Sequence, residues 1–533
     1  MNKLSEKMVF TIQPCDWREH DDKGKYVVDV YGRTEETATM VRIEGFKPYM
    51  YVLPGDKKID AFRSKLTEEK INATSVIVTS TTKYDAYEGF NHFKPVTVWK
   101  IEYQSLRDWR TGGKICKALF PRVYESNIPP FLRLFHDRDI GPASPIIVQP
   151  HMKIEGGWTA KIQDVIGDPS KNIALKVAAY DIECTSRTGQ FPIAKKDWSY
   201  VIERFADDLS HDEESSLTDI FVRRLEKEGM AIPSGWREKT LIPFLSKDSV
   251  QTMIEKENWT TFTAQFESLM GNLTIGDPII QIGVSVRMST NMLTTTKRRV
   301  FVWGTVSGSP DFISCDSEGD LIEAFVQFLQ EENIDILCGY NTYGFDDKYI
   351  CDRAIVNGMK SLKFGRTDIY GEMLEHKVFE LASGKYNVNY LKMPGRLSID
   401  LLLNIRREHN LDSYTLDNVA STFLRDKVVK VEGSTIYTKT TRGLFVGNYV
   451  KFDVVGNTIN TYQEGRKFLV KSVSPKSFEI DGSDLFSDLT SDDKAHLEWS
   501  FTKDDIHPAD IFRLHDGSAD DRGTVAKYCI QDC

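Results

Sequence analysis

A strand-like run that closes on two acids sets the tightest limit on how this chain can fold. IALKVAAYDIEC, Ile173 to Cys184, has the apolar content of a buried strand, yet it ends in Asp181 and Glu183 with one isoleucine between them. Side chains two apart on a strand point to one side, so the two acids share a face while Tyr180 and Ile182 take the other. The apolar face belongs in a core and the acidic face along a cleft. Neighbouring carboxylates repel, an arrangement that persists where a cation sits between them, although two solvated acids on an exposed edge have the same spacing.

Two further segments have a similar character. In CGYNTYGFDDKYI, Cys338 to Ile350, a buried strand gives way to a predicted helix, with Asn341 as its expected N-cap and Asp346 or Asp347 in its first turns. In TVAKYCIQDC, at the C-terminus, Tyr528 and Asp532 stand four apart, a spacing that lets a phenol and a carboxylate reach one point from one helix face. Each segment alone has an ordinary structural reading as a cap, a core aromatic or a surface pair.

The surrounding pattern is mixed α/β. Residues 1–170 alternate in the manner of strands, as in KYVVDVYG and TATMVRIEGFKPYMYVLP, with helical stretches between, and predict a β-rich N-terminal domain. From 171 to 533 strands alternate with helices, the order of an α/β domain whose ligands gather at strand ends. Two insertions interrupt it: a charged helical excursion over 193–272, expected on a sheet edge, and short β-branched runs over 427–481 that predict a small barrel or curled sheet. At roughly 150 residues per domain, 533 residues suggest about three or four domains.

Asp-x-Glu on a strand, Asn-x-x-x-Phe-Asp after a later strand and Tyr-x-x-x-Asp on a later helix, in that order, resemble the three exonuclease motifs of proofreading 3′→5′ exonucleases. EGFKPYMYV, VYESNIPPFLRLFHDRDI, GDPIIQIG and MPGRLSIDLLLNIRREHNLDSYTLDNVASTFL extend the likeness to the N-terminal and exonuclease regions of family B DNA polymerases, delta-type and similar to those of large DNA viruses of eukaryotes. The resemblance implies a ribonuclease H-like 3′→5′ exonuclease domain. In it Asp181, Glu183, Asp346 and Asp532 would hold two Mg²⁺ or Mn²⁺ ions, and Tyr528 would aim the attacking water. Asp346 is preferred to Asp347 because it directly follows Phe345. Asn341 and Phe345 would support the terminal nucleotides by hydrogen bonding and stacking. VFELASGKYNVNYLKMPGR, Val378 to Arg396, falls where the family carries a hairpin that helps part primer from template, whereas Lys297 to Arg299 are expected in a solvated turn.

The implied partners are a DNA primer 3′ end and its template, with a sliding clamp as a further partner. Palm signatures of the DxxSLYP and YGDTDS kinds do not occur, so the palm, fingers and thumb are expected on a continuation of the chain or on a second polypeptide. A stand-alone exonuclease and a non-catalytic nucleic-acid-binding scaffold are the alternatives. The net charge of −10 requires any DNA to be held by local basic patches or bridging cations. Eight scattered cysteines with no CxxC pair argue against a disulfide framework or a zinc site. The sequence has neither a signal-peptide core nor a membrane-length apolar run, and an intracellular, non-secreted protein is expected, in a host nucleus or a viral replication compartment if viral.

Overall fold

Alternating strands near the N-terminus pair in register because tight turns leave them no other choice. In the computed structural model, Phe10–Asp22 folds back on Lys25–Arg33 through Lys23 and Gly24, both at positive φ, 48° and 75°. The structure describes residues 8–54, 59–84, 95–186, 188–212, 214–230, 232, 234–271, 275–367, 373–381, 384–456, 458–482, 485–503 and 506–533. This hairpin is the centre of a seven-stranded sheet, packed over Ile12, Val28, Val41, Leu134 and Phe135. A four-stranded sheet beside it is covered by helices Ile59–Glu68 and Leu106–Leu119.

The second half is built on a six-stranded sheet. Lys176–Cys184 lies at its middle, antiparallel to Ile279–Met288 and parallel to Ile336–Gly339. Asn291–Trp303 and Phe312–Cys315 extend one side, and Leu397–Asp400 closes the other. Helices Glu318–Glu331 and Asp346–Val356 bury Leu321, Phe325, Ile350 and Ala354 against one face, where Tyr180 and Ile182 also lie. The other face receives the C-terminal helix Ala519–Cys529, whose Ala526 and Cys529 meet Val300 and Val302.

Three expectations need correction here. The helical insertion does not sit on a sheet edge: it leaves from Lys176–Cys184 and returns at Ile279–Met288, two adjacent central strands, and it closes its own core on Phe205, Phe221, Phe262 and Phe266. Lys297 to Arg299 lie inside the strand Asn291–Trp303, not in a turn, because their backbone pairs with Val284 to Val286. The inserted β unit runs past 481. Its strand Leu497–Thr502 pairs with both Arg425–Glu432 and Tyr449–Val455 and so closes a barrel around Trp499, Phe452 and Phe468.

Leu374–Leu381 and Gly384–Leu391 form a two-stranded hairpin, with residues 382 and 383 of the quoted segment outside the described residues. No helix among the described residues is long and apolar enough to cross a membrane.

Candidate active site

The alternation of the central strand sends Asp181 and Glu183 toward the face that carries the C-terminal helix. One carboxylate oxygen from each and the Cys529 sulfur all lie within 4.8 Å of one another. The Cys529 thiol is buried beside both acids, and burial together with the neighbouring charge of Glu183 holds its pKa well above the ordinary value. Hard divalent cations prefer carboxylate oxygens to a thiol sulfur.

Asp346 opens helix Asp346–Val356, with Phe345 in the N-cap position. Its carboxylate accepts hydrogen bonds from its own backbone N–H and from that of Ile182, which ties the helix start to the acidic strand. Burial raises its pKa to about 7 despite those bonds. Burial likewise lifts Glu183 to about 8, with Asp532 and Asp346 adding to the rise. Asp181 is also raised, by burial first and then by the charges of Asp346, Glu183 and Asp532. The four acids, drawn from three distant segments, thus feel one another directly. Tyr528 belongs to the same cluster: burial and the charges of Asp532, Glu183 and Asp181 push its phenol up, so it remains a hydrogen-bond donor.

Asp532 does not lie on the helix as its spacing suggests. The helix ends at Cys529, and i→i+3 bonds from Gln531 N to Tyr528 O, 2.9 Å, and from Asp532 N to Cys529 O, 3.3 Å, tighten the chain beyond it. The carboxylate meets the Lys503 ammonium at 2.5 Å, a contact that opposes the rise burial causes.

Asp347 is engaged elsewhere. Its carboxylate, 1% exposed, accepts from the Tyr180 hydroxyl and from Leu391 N at 3.1 Å. Asn341 is not the N-cap. It takes φ 63° in a tight turn whose carbonyl accepts from Gly344 N and Phe345 N at 3.0 and 3.1 Å, and its side chain is exposed. Phe345 packs between Tyr349 and Phe191, with ring centroids 5.0 and 5.4 Å away; Phe191 is 75% exposed.

Two residues that shape the site went unread in the sequence. Asp400 caps the helix Leu401–Glu408, and its second task is to receive Asn341 N at 2.9 Å and Tyr343 N at 3.1 Å, which fixes the turn before Phe345. An Asp before an apolar helical run signals the cap but not the turn. Lys503 follows the closing strand of the barrel, and nothing in its neighbourhood of sequence marks it.

Buried carboxylates gathered in one place, with pKa values raised by burial and in three of them by one another's charge, are a donor set suited to hard divalent cations, which supply the missing charge.

A family model, DNA polymerase family B exonuclease domain, matches residues 121–239 and 262–419. The chain is 26% identical to a DNA polymerase of Pyramimonas orientalis virus, an alignment covering 99% of this chain and 50% of the relative. It is 24% identical to a DNA polymerase of Phaeocystis pouchetii virus, covering 96% of this chain and 62% of the relative. A DNA polymerase delta catalytic subunit of Caenorhabditis elegans is 34% identical over 30% of this chain and 15% of its own length. The chain thus spans about half the length of the viral relatives. With 119 and 158 residues of 533 matched, more than half of its length, the chain belongs to the exonuclease-domain family of the family B DNA polymerases.

Proposed function

We propose that this chain hydrolyses the 3′-terminal nucleotide of DNA, using Asp181, Glu183, Asp346 and Asp532 to hold two divalent cations, Mg²⁺ or Mn²⁺. The observation that carries the reading is the convergence of those four acids, each raised by burial, with Asp181, Glu183 and Asp346 raised further by the charge of other members of the set. Bound there, such ions supply Lewis acidity and charge neutralisation at the attacking and leaving oxygens of an in-line displacement at phosphorus.

The protein's own groups divide the remaining work. Tyr528, held neutral, donates a hydrogen bond that orients the attacking water. Phe345, supported by Tyr349 and flanked by Phe191, offers a stacking surface for the terminal base, and Asn341 an exposed amide beside it. Lys503 balances Asp532 until a cation takes its place.

Within a longer polymerase, the same chemistry would remove mismatched primer ends during replication, in a host nucleus or a viral replication compartment. The nucleotidyl-transfer site would lie on a continuation of the chain or on a partner polypeptide, with a sliding clamp as a further partner.

The test is degradation of a 5′-labelled single strand by the chain with Mg²⁺ or Mn²⁺. Loss of several kcal/mol of charge stabilisation in Asp181→Ala should slow hydrolysis about a thousandfold. DNA binding without metal-dependent hydrolysis in the parent chain would overturn the reading in favour of a scaffold.

A further inference from the structure

One cavity borders the acid cluster, sharing Asp532 with it, and has a chemistry of its own. It measures about 1130 Å³ and is bounded by the sheet, the C-terminal helix and the barrel. Arg287, Lys297, Arg298, Arg299, Lys503 and Lys527 all line it, against the acids Asp311 and Asp532. In a chain of net charge −10, such a concentration of cations is a local feature.

The pairing of these cations is incomplete. Lys297 is met by Glu332, Lys503 by Asp532, and Arg298 and Arg299 share the single carboxylate of Asp311 at 3.9 and 3.0 Å. Arg287 and Lys527 have no carboxylate partner among the described residues. Among the described residues the Arg287 guanidinium makes only a 3.4 Å bond, to the Thr295 hydroxyl, and it lies 5.6 Å above the ring of Phe445, which is 36% exposed. Burial and the nearby Arg298 both weigh against its charge, the electrostatic mark of a cation that lacks an anion. Ser285, 3% exposed, also lines the cavity, and its hydroxyl has no hydrogen-bond partner among the described residues.

We propose that this cavity binds a nucleotide, its phosphate held by Arg287, Lys527 and the Ser285 hydroxyl and its base against Phe445. A guanidinium offers paired N–H donors to phosphate oxygens, an ammonium adds a point charge, and an aromatic ring accepts any base. The volume is ample for one nucleotide, since pockets for small ligands span roughly 300–1,000 Å³. Two sources share this chemistry: a free nucleoside monophosphate and a nucleotide within a DNA strand.

The experiment is calorimetric titration of the full chain with dAMP in EDTA, where metal-dependent hydrolysis cannot occur. Binding should weaken at least tenfold in Arg287→Gln and in Phe445→Ala, with each variant melting as the parent does; Lys527→Gln replaces Arg287→Gln if the latter fails to fold. Asp181→Asn should bind as the parent does, which separates this site from the acid cluster. Displacement of dAMP by a short oligodeoxythymidylate assigns the site to a strand, and failure to displace assigns it to the free nucleotide. Absence of binding, parent affinity in both variants, or adenosine binding as well as dAMP would each overturn the proposal.

Discussion

Asp346 and Asp347 are neighbours in sequence with opposite employment, and substitutions should separate them. Asp347 satisfies the buried Tyr180 hydroxyl and the Leu391 amide, so Asp347→Ala strands two buried donors. A cost of about 3 kcal/mol is expected, read as a lower unfolding midpoint in urea. Asp346→Asn keeps an acceptor for the backbone N–H groups of Asp346 and Ile182 but removes the charge that repels Asp181, so stability should hold or rise while hydrolysis falls about a thousandfold. The reverse pattern would assign the metal role to Asp347. The pH dependence follows from the same cluster. An acid whose folded pKa exceeds its unfolded value, about 4, binds its proton more tightly when folded, so its stabilising contribution is complete at low pH and is lost as pH rises. With Asp346 at about 7 and Glu183 at about 8, the metal-free chain should lose stability between about pH 4 and 8, and Mg²⁺ should restore it in the upper part of that window. Thermal melts in EDTA that are flat with pH, or unchanged in slope by Asp346→Asn, would refute this.

At the scale of elements, what the sequence revealed is what local periodicity encodes. The acidic face of Lys176–Cys184 follows from alternation alone, and the segments carrying Asp346, Tyr528 and Asp532 follow from strand-to-helix order. Turn geometry was less legible. Asn341 has the composition of a cap, yet the backbone donors around it are claimed by Asp400, a contact 59 residues away that no local pattern shows. Lys297 to Arg299 read as a solvated turn by charge, but the register with Val284 to Val286 makes them strand. Close packing is similarly hidden. Gly283 sits mid-strand where a Cβ would meet the Cys529 sulfur at 2.9 Å and the Cys529 carbonyl at 3.3 Å. The missing side chain lets the C-terminal helix approach and bring Tyr528 and Asp532 to the acids of the next strand. Gly283→Val should therefore push that helix outward while the sheet persists. Since a misplacement of about 1 Å can cost about a hundredfold in rate, hydrolysis should fall by that order with far-ultraviolet circular dichroism unchanged. Parent activity in Gly283→Val would show that the close approach is dispensable.

At the scale of the whole molecule, one buried carboxylate links the N-terminal sheet to the sheet that carries the acids. Asp335, fully buried, receives Arg33 Nε at 2.6 Å, Arg366 at 2.5 Å and Lys176 N at 2.7 Å. Arg33 ends a strand of the N-terminal sheet, 302 residues away, and its guanidinium also donates to Asn333 O at 2.7 Å. Nearby, Gly395 N donates to Asp16 at 2.8 Å, and Gly395 lies where a Cβ would strike the Tyr31 ring at 2.8 Å. The contact is therefore polar, buried and closely fitted. Breaking a buried pair from one side costs more than the pair itself contributes, about 3–5 kcal/mol, because the stranded charges stay desolvated. In Asp335→Ala both guanidiniums lose their carboxylate, and the cheapest relief is to let the two sheets part so that water reaches Arg33 and Arg366. Lys171, exposed in the segment between the sheets, gives a readout. Trypsin should cut after Lys171 faster in Asp335→Ala, and the two fragments should separate on size exclusion, whereas the cut parent chain should elute as one species. Variant fragments that stay together would mean that apolar contact, not this carboxylate, holds the halves in place.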